Sequence, residues 1–406
     1  MAEKIISVRT ALLPAYYKDF RCLAAACQDS CCIGWTIEFN KKDYLAIKRA
    51  ARSEALKTKL AQAMPRLRER EHDGMYAEFK MNEKNQCGLL REDGLCALQL
   101  ECGAETLPEV CSQFPRHSLY TLAAREYSLS PGCEAVLALL WDLPQGIDFI
   151  EEPLEKKDWK CYQQDKPIAA RFTDIRSFCV DVLQERSLTL RQRMLLLGIL
   201  LQKLRDGDWA QEETVDTWLE QGVAMLHSPS MAVELDKLSG NRRMFLTNCH
   251  HVMMTSMVGD LSTATLFQEL WVSILIGYQE EGSSHFTFDI ERYEELEAQL
   301  TELLDHSEYF FENLIVTVAF HLRIPALLSP EALWKSYVNL CNIYSLYRFS
   351  AVCGCAKEVS RERLFHVMVG ISRSLLHNKT RRNQLQDSFF QHDSATLAHM
   401  AILLGG

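Results

Sequence analysis

The chain has 406 residues, of which 48% are hydrophobic and 24% are charged, and its formal net charge at pH 7 is −10. This composition is typical of a globular protein of two or three domains and excludes intrinsic disorder for the chain as a whole. The acidic balance argues against nucleic acid as a partner, because a phosphate-binding surface needs an excess of lysine and arginine. No apolar run approaches the roughly 20 residues of a membrane-spanning helix, so no membrane span is expected.

The first 141 residues are predicted to form a cysteine-rich α+β module. Alternating stretches at 5–13 and 76–81 predict short strands, and the Asp93–Gly94 step predicts a hairpin-type turn. One long helix is predicted over 41–64, because apolar residues recur on one side of it and Pro65 must end or kink it. A second helix is predicted over 133–141.

Residues 142–168 are predicted to be a linker, because prolines, a glycine and many charges interrupt the pattern there. From 169 to 406 the periodicity predicts an all-helical domain. Its predicted helices are 171–185, 189–205, 212–227, 231–258, 262–279, 290–305, 308–323, 330–349, 358–377 and 383–403. Predicted helix caps are Ser187, Ser262, Ser307 and Ser329, with breaks at Gly240 and Gly259. The expected fold class is therefore mainly α, with an N-terminal metal-binding module followed by helices.

Cysteine is the unusual residue, since nine of the fifteen cysteines lie between Cys22 and Cys133. The N-terminal segment lacks the continuous apolar stretch of a signal peptide, so a cytoplasmic location is expected. An odd cysteine count in a reducing compartment argues against a disulfide framework and favours metal binding or redox chemistry.

The cysteines fall into a compact set and a dispersed set. The compact set is Cys22-x4-Cys27-x3-Cys31-Cys32, and the dispersed set is Cys87, Cys96, Cys102, Cys111 and Cys133. Cys133 precedes a predicted helix, where the N-terminus is expected to lower the thiol pKa and favour a ligating thiolate. All-thiolate ligation suits zinc or an iron–sulfur cluster, and the spacing matches neither paired zinc knuckles nor the ferredoxin run. Physical reasoning favours iron–sulfur over zinc and leaves both open.

Several common enzyme motifs are absent from the sequence. There is no G-x-x-x-x-G-K-[ST] or G-x-G-x-x-G segment, so a phosphate-binding loop or Rossmann nucleotide site has no support. There is also no G-x-S-x-G elbow and no H-E-x-x-H pair.

The sequence resembles the flagellin lysine-N-methylases. The resemblance begins with a phenylalanine–cysteine segment, Phe20 and Cys22, followed by C-x-D-x-C-C-x-x-W-x-I at 27–37. It continues with Cys87, GLC at 94–96, CSQFPR at 111–116 and SLSPGC at 128–133. It extends into the C-terminal half through FENLIVTVAF at 311–320 and SRSLLHN at 372–378. The first module is also similar to a wider class of small cysteine-cluster proteins described as zinc- or iron-chelating.

The resemblance implies transfer of a methyl group from S-adenosylmethionine to flagellin lysines before flagellin is exported. It further implies a [4Fe–4S] cluster, in a structural or cofactor-anchoring role. The implied candidate ligands are Cys22, Cys27, Cys31, Cys32, Cys87, Cys96, Cys111 and Cys133. Cys102 has no counterpart in the family pattern and is left out. A radical mechanism is not expected, since the C-x3-C-x2-C pattern fails at Gly34.

Polar residues of the helical half are the candidates for the methyl-transfer site. Glu312 or His377 is expected to accept the amine proton, and Asn313 to orient the amine. The cofactor-binding candidates are Trp35, whose aromatic face attracts a sulfonium cation, and the polar residues Arg116, Arg373 and Asn378. Each has a structural alternative: Trp35 in the core, Arg116 and Asp29 supporting the metal ligands, and Glu312 and His377 stabilising helix ends.

Two functions of different classes therefore remain at this point. The first is a protein-lysine methyltransferase, and the second is a non-enzymatic zinc- or iron-binding adaptor. Binding of S-adenosylmethionine distinguishes them.

Overall fold

The computed structural model describes residues 4–34, 37–67, 75–164, 167–238, 240–256, 266, 268–270, 272–273, 275–278, 286–377, 382–383, 387, 389–391 and 394–405. Within these residues the protein is mainly α-helical, which confirms the mainly α part of the predicted fold class. No described helix is long and apolar enough to cross a membrane.

The described strands are β1 (Lys4–Val8), β2 (Thr10–Pro14), β3 (Ile37–Phe39), β4 (Ala77–Phe79), β5 (Arg116–Tyr120), β6 (Arg125–Leu129), β7 (Phe149–Pro153), β8 (Lys160–Gln164), β9 (Leu275–Tyr278) and β10 (Phe286–Phe288). The described helices are α1 (Lys41–Ala50), α2 (Glu54–Ala63), α3 (Ala97–Cys102), α4 (Glu109–Gln113), α5 (Glu134–Trp141), α6 (Pro167–Ala170), α7 (Phe172–Gln184), α8 (Leu190–Arg205), α9 (Glu213–Leu226), α10 (Met231–Asp236), α11 (Arg242–Ser256), α12 (Ile290–Leu303), α13 (Tyr309–His321), α14 (Pro330–Gly354), α15 (Arg361–Leu376) and α16 (Leu397–Leu404). Short 3-10 turns connect several of them.

The chain forms two compact units. The cysteine unit comprises Phe20–His117 and Cys133–Val136, and the larger unit comprises the described parts of Met1–Asp19, Ser118–Gly132 and Leu137–Gly406. The chain therefore passes from one unit to the other several times, and the units do not divide at the predicted linker.

The cysteine unit has its own apolar core. Strands β3 and β4 pair antiparallel, with Ile37 opposite Phe79, and the rings of Phe39 and Phe79 lie 4.7 Å apart. Helices α1 and α2 contribute Ile47, Leu56 and other apolar side chains to the same core. The burial of these side chains provides the main stabilisation of the unit.

The single helix predicted over 41–64 is wrong: two helices occupy this range. Helix α1 ends at Ala50, and α2 begins at Glu54 with Ser53 as its cap. The carboxylate of Glu101 accepts hydrogen bonds from the backbone N–H groups of Arg52 and Ser53, each at 2.9 Å. This long-range partner satisfies donors that a continuous helix would have used, and periodicity alone cannot reveal it.

Strands from distant parts of the chain meet in the larger unit. The strand order in its four-stranded sheet is β5-β6-β2-β7, with β2 parallel to β6 and antiparallel to β7. Strand β8 pairs antiparallel with β1. The residues predicted to form a linker, 142–168, thus contain two paired strands, because prolines and charges are tolerated on edge strands.

Most of the predicted helices of the C-terminal half are confirmed, with three corrections. The range 231–258 contains two helices, α10 and α11, on either side of the expected break at Gly240. The predicted helix 262–279 ends in strand β9, which pairs with β10, so the domain is not all-helical. Residues 394–396 are not helical, and α16 begins after Thr396, whose side chain caps it.

The predicted caps have mixed outcomes. Ser329 caps α14 by accepting a hydrogen bond from the N–H of Ala332. Ser187 does not cap α8, because Thr189 forms a reciprocal capping box with Gln192 two residues later. Ser307 accepts a hydrogen bond from the N–H of Tyr309 at 3.3 Å. Ser262 and Gly259 lie outside the described residues.

Helix α14 lies at the centre of the larger unit. It packs against α8, α15, α16 and α12, and its side chains from Tyr337 to Gly354 are almost continuously buried. A helix that is apolar nearly all round requires neighbours on every side, which explains its position.

Candidate functional site

The core of the cysteine unit holds several thiols beside one another. Cys87 is buried in this core, and Cys32, Cys96, Cys102 and Cys111 pack against it. Backbone pairing fixes the arrangement, because the N–H of Cys87 donates to the carbonyl of Cys32 at 2.8 Å. The fold therefore joins the compact and the dispersed cysteine sets.

The predicted turn at Asp93–Gly94 is confirmed and positions Cys96. Cys96 forms an isolated antiparallel bridge with Leu90, and the N–H of Arg91 donates to the carbonyl of Leu95 at 2.9 Å. Gly94 has φ +76°, a conformation that glycine adopts without steric cost. The two segments on either side of the turn are thereby brought together.

Cys111 packs against the core of the cysteine unit, near other thiols. Burial raises the pKa of its thiol far above the ordinary value, and the nearby thiols of Cys31, Cys87 and Cys96 raise it further. Burial is also the largest cause of the raised pKa of Cys87, to which Cys96 contributes. Burial is therefore the main cause of the raised pKa of both thiols, and the neighbouring cysteines add to it.

A second group of thiols surrounds Cys133. Burial raises the pKa of Cys133 to about 11, the N–H groups of Val136 and Ala135 lower it, and Cys31 and Cys22 raise it. The expectation that the helix N-terminus gives Cys133 a lowered pKa is wrong, because burial outweighs the backbone hydrogen bonds. A bound metal ion would reverse this balance by stabilising the thiolate.

Sequence reasoning missed Glu134, the first residue of α5. Its Oε2 accepts hydrogen bonds from the backbone N–H groups of Gln28 at 2.7 Å and Asp29 at 3.1 Å, and from the Cys27 thiol at 3.4 Å. Burial is the largest cause of a raised pKa of Cys27, about 12, and Glu134 adds to it. The available signal was an acidic residue directly after Cys133, which is also common at ordinary helix starts.

The thiols fit a metal centre in composition, and their separations are not those of an assembled one. Among the residues that the structure describes, no group of three or more His, Cys, Asp or Glu side chains is spaced to hold a metal ion. An all-sulfur donor set suits an iron–sulfur cluster or zinc. The predicted ligand list therefore stays a prediction.

The cysteine unit also contains other residues that the sequence analysis singled out. The Arg116 guanidinium lies 4.7 Å from the centre of the Phe20 ring, a cation–π contact that explains its position. Asp29 joins the Glu134 hydrogen bonds through its N–H group. Trp35 lies outside the described residues.

In the larger unit, Glu312 is the centre of a buried ion-pair network. Its side chain is 1% exposed, and Arg193 and Arg186 donate to its two oxygens at 2.6 and 2.8 Å. Arg193 also donates to the carbonyl of Leu183, and Arg186 to that of Pro144. This network joins the residues after α7 to the first turns of α8 and α13. The two arginines were not predicted from the sequence. The catalytic role of Glu312 stays a prediction.

Asn313 makes hydrogen bonds to the backbone. Its side-chain amide donates to the carbonyls of Leu140 at 2.9 Å and Leu143 at 2.8 Å. Leu140 lies in the last turn of α5, and Leu143 lies two residues after the end of that helix. Asn313 thus has a capping function in the fold, and its role in orienting an amine stays a prediction.

His377 and Arg373 converge on the segment that precedes Cys133. The Nε2 of His377 lies 2.8 Å from the hydroxyl of Ser130, and Arg373 donates to the carbonyl of Gly132 at 2.9 Å. A Cβ on Gly132 would lie 3.1 Å from the His377 ring, so only glycine fits comfortably. Both motifs, SLSPGC and SRSLLHN, carry the sequence resemblance to the family, and the structure shows that they are in contact.

The His377 ring is neutral at pH 7. Burial lowers its pKa to about 4, and the charges of Arg373 and Arg382 contribute. His377 pairs with the hydroxyl of Ser130, whereas Glu312 accepts hydrogen bonds from Arg186 and Arg193. Asn378, the neighbouring cofactor-binding candidate, lies outside the described residues.

Comparison with known families gives a match over most of the helical half. A model described as the FliB lysine N-methylase C-terminal domain matches residues 176–403, more than half of the chain. The chain belongs to this family. No solved structure gave a match.

Curated relatives extend the comparison. The chain is 33% identical over 150 residues to a "Lysine-N-methylase" of Salmonella choleraesuis (strain SC-B67), covering 36% of each protein. It is 34% identical over 143 residues to a "Flagellar biosynthetic protein FliU" of Salmonella muenchen, covering 34% of this chain and 80% of that protein. The alignments thus span only about a third of the length of the lysine-N-methylase relatives.

The FliB domain match divides the predicted site residues into two sets. Glu312, Asn313, Arg373 and His377 fall within the FliB range of 176–403, together with the arginines that bind Glu312. All eight predicted cysteine ligands precede it. The family match therefore covers the predicted polar site residues of the helical half, and it does not extend to the predicted cysteine ligands.

Proposed function

We propose that this chain is a protein-lysine N-methyltransferase that transfers a methyl group from S-adenosylmethionine to lysine side chains of flagellin in the cytoplasm. The match of 176–403 to the FliB lysine N-methylase C-terminal domain carries the proposal. The names of the relatives, "Lysine-N-methylase" and "Flagellar biosynthetic protein FliU", support the reaction and the flagellar substrate.

The proposed reaction is a direct displacement. The neutral lysine Nζ attacks the sulfonium methyl carbon, the new C–N bond forms as the C–S bond breaks, and a neutral thioether leaves. The methylated ammonium then loses its proton. The protein must align the two reactants, exclude water and favour the neutral amine, and alignment alone can contribute about 7 kcal/mol or more.

Glu312, His377 and Asn313 remain the proposed catalytic residues, and their surroundings differentiate them. His377 is neutral at pH 7, so its ring can act as a hydrogen-bond partner to an amine or accept a proton transiently. Glu312 lies between two guanidinium groups, which donate hydrogen bonds to both of its oxygens. Arg373, beside His377, is the proposed contact for the cofactor carboxylate, since guanidinium and carboxylate groups pair in a bidentate fashion.

The cysteine unit is proposed to hold a [4Fe–4S] cluster. Cys31, Cys87, Cys96 and Cys111 are the ligands we propose, with Cys22, Cys27, Cys32 and Cys133 as the other candidates. When bound, such a cluster would stabilise the unit, and if only three cysteines ligated it, the iron without a cysteine ligand would offer an attachment point for the cofactor aminocarboxylate. The thiols must lose their protons for this, and burial of neutral thiols makes loading favourable at higher pH.

The cluster proposal is tested by measuring iron, zinc and acid-labile sulfide per chain after purification without oxygen. About four iron and four sulfide per chain are expected. Cys111→Ser should lose the metal, whereas Cys102→Ser should retain it, although both side chains pack against the same core. Stoichiometric zinc without sulfide, or equal loss in both variants, would refute the assigned cluster.

Methyl transfer is tested with labelled S-adenosylmethionine and purified flagellin. Transfer to lysine and a higher melting temperature in the presence of the cofactor are expected, because a ligand of the folded state stabilises it by mass action. A metal-loaded protein that shows neither at millimolar cofactor would instead be the zinc- or iron-binding adaptor.

A further inference from the structure

The compact cysteine set lies in a segment with little regular structure. Between Phe20 and Gly34 the described backbone contains one 3-10 turn, Ala24–Ala26, and the residues from Arg21 to Ala26 are exposed. The far end of this segment is fixed by the N–H of Gly34, which donates to the carbonyl of Asn85 at 2.9 Å. Exposed irregular segments of this kind have low local stability unless other contacts hold them.

Glu134 supplies such a contact in the middle of the segment. One of its oxygens accepts from two successive backbone N–H groups, those of Gln28 and Asp29, and from the thiol of Cys27. Glu134 is the first residue of α5, and it is separated from Gln28 by 106 positions in sequence. The carboxylate thus connects the compact cysteine set to the helix that follows Cys133.

Charge strengthens this connection. Hydrogen bonds from N–H groups to a carboxylate are shorter and roughly twice as strong as those between neutral groups. The two backbone donors leave Glu134 little rotational freedom, and they set the distance between the chain at Cys27 and the chain at Cys133. Residues that orient metal ligands in this manner commonly change metal affinity by about 10- to 100-fold when substituted.

We propose that Glu134 is a positioning residue of the thiol centre, which holds the segment 27–29 against the start of α5 and thereby fixes Cys27 relative to Cys133. The role in metal retention rests on the proposed function of the cysteine unit. The role in holding the segment does not, because it concerns hydrogen bonds of the metal-free chain.

The experiment compares Glu134→Ala and Glu134→Gln with a matched control, Glu109→Ala. Glu109 is likewise the first residue of a helix, lies two positions before Cys111 and is exposed, and no hydrogen bond of its side chain to the segment 27–29 is observed. Each full-length protein is examined in two ways. Amide hydrogen exchange of peptides covering 27–32 is followed without metal, and iron release to a chelator and the visible spectrum are followed after anaerobic loading.

Glu134→Ala is expected to exchange at least about tenfold faster over 27–32 and to release iron about 10- to 100-fold faster, with an altered cluster spectrum. Glu134→Gln keeps an acceptor without the charge and should fall between Glu134→Ala and the wild type. Glu109→Ala should match the wild type. Exchange and iron release unchanged in Glu134→Ala would overturn the proposal.

Two other outcomes of this experiment also test the proposal. If Glu134→Ala fails to fold, Glu134→Gln serves as the test, and exchange indistinguishable from the wild type refutes the proposal. If the wild type retains neither iron nor sulfide, the cluster proposal fails, and the exchange data still decide the connection between the segment 27–29 and α5.

Discussion

The buried carboxylate of Glu312 offers the sharpest test of how the larger unit is held together. Arg193 is 2% exposed and donates to Glu312 at 2.6 Å, whereas Arg186 is 41% exposed. Replacing Glu312 by Gln leaves the Arg193 charge buried without its closest counterion. The remaining carboxylate, that of Glu308, lies 3.8 Å from Arg193 and is 44% exposed, so solvent screens it.

The size of the effect follows from this difference in burial. Breaking a buried ion pair by removing one partner costs about 3–5 kcal/mol, and loss of the screened pair with Arg186 adds little. We take about 3 kcal/mol, because Arg193 keeps its hydrogen bond to the carbonyl of Leu183. At about 2–4 °C per kcal/mol, the melting temperature should fall by about 6–12 °C.

The assay is thermal unfolding followed by circular dichroism, with Glu308→Gln as the control. Glu308 faces the same arginine from an exposed position, and its amide can still accept the hydrogen bond from the N–H of Leu190, so a shift below about 3 °C is expected. A Glu312→Met, Arg193→Met double variant should recover part of the loss, since removing both charges leaves none unpaired. A Glu312→Gln protein that melts with the wild type would refute the reasoning.

Methyl transfer at a temperature where all variants are folded separates this role from a catalytic one. Removal of a general base lowers turnover by about 10²–10⁴-fold. Loss of a structural ion pair should leave turnover of the folded protein within a few-fold of the wild type. The two outcomes are far enough apart to decide whether Glu312 acts as the base.

Three further substitutions test local features. Burial lowers the pKa of His377 to about 4 from its ordinary 6.5, so the unfolded chain binds its proton more readily. The free energy of unfolding should therefore fall, by up to about 3 kcal/mol, as pH drops from 6.5 to 4. His377→Gln should lack this part of the pH dependence, measured by urea titrations at several pH values. An equal change of the free energy of unfolding with pH in both proteins would contradict the prediction. Gly198→Ala should lower the urea midpoint, because the new Cβ would lie 2.2 Å from the Tyr337 hydroxyl, and overpacking of about 1–3 kcal/mol exceeds the gain in helix propensity of about 1 kcal/mol. An unchanged or higher midpoint would show that Tyr337 moves aside freely. Gly94→Ala should destabilise the cysteine unit by about 1 kcal/mol, because φ at this turn is +76°, and Gly94→Asn should cost less in the same titration; equal losses would argue against backbone strain.

Local sequence signals predicted most helices of the larger unit correctly. Helices α7, α8, α9, α12 and α13 lie within one or two residues of their predicted limits, because their apolar faces repeat with helical period. The turn at Gly94 was equally readable, since only a few dipeptides favour that conformation.

Predictions failed where a distant residue supplied the partner. The break between α1 and α2 depends on Glu101, and the strands within 142–168 depend on β1 and β2 at the beginning of the chain. The raised pKa of Cys133 depends on burial by residues far away in sequence. None of these partners leaves a periodic signal at the position that it changes.

The sequence by itself determined the helical class, the concentration of cysteines before residue 134 and the family to which the helical half belongs. Only the tertiary structure decided which side chains meet. It paired Glu312 with two arginines, His377 with Ser130 and Glu134 with the backbone of Gln28 and Asp29. The physical reason is that helix periodicity and turn preference act over a few residues, whereas burial, charge pairing and ligand convergence are set by segments that lie far apart in the sequence.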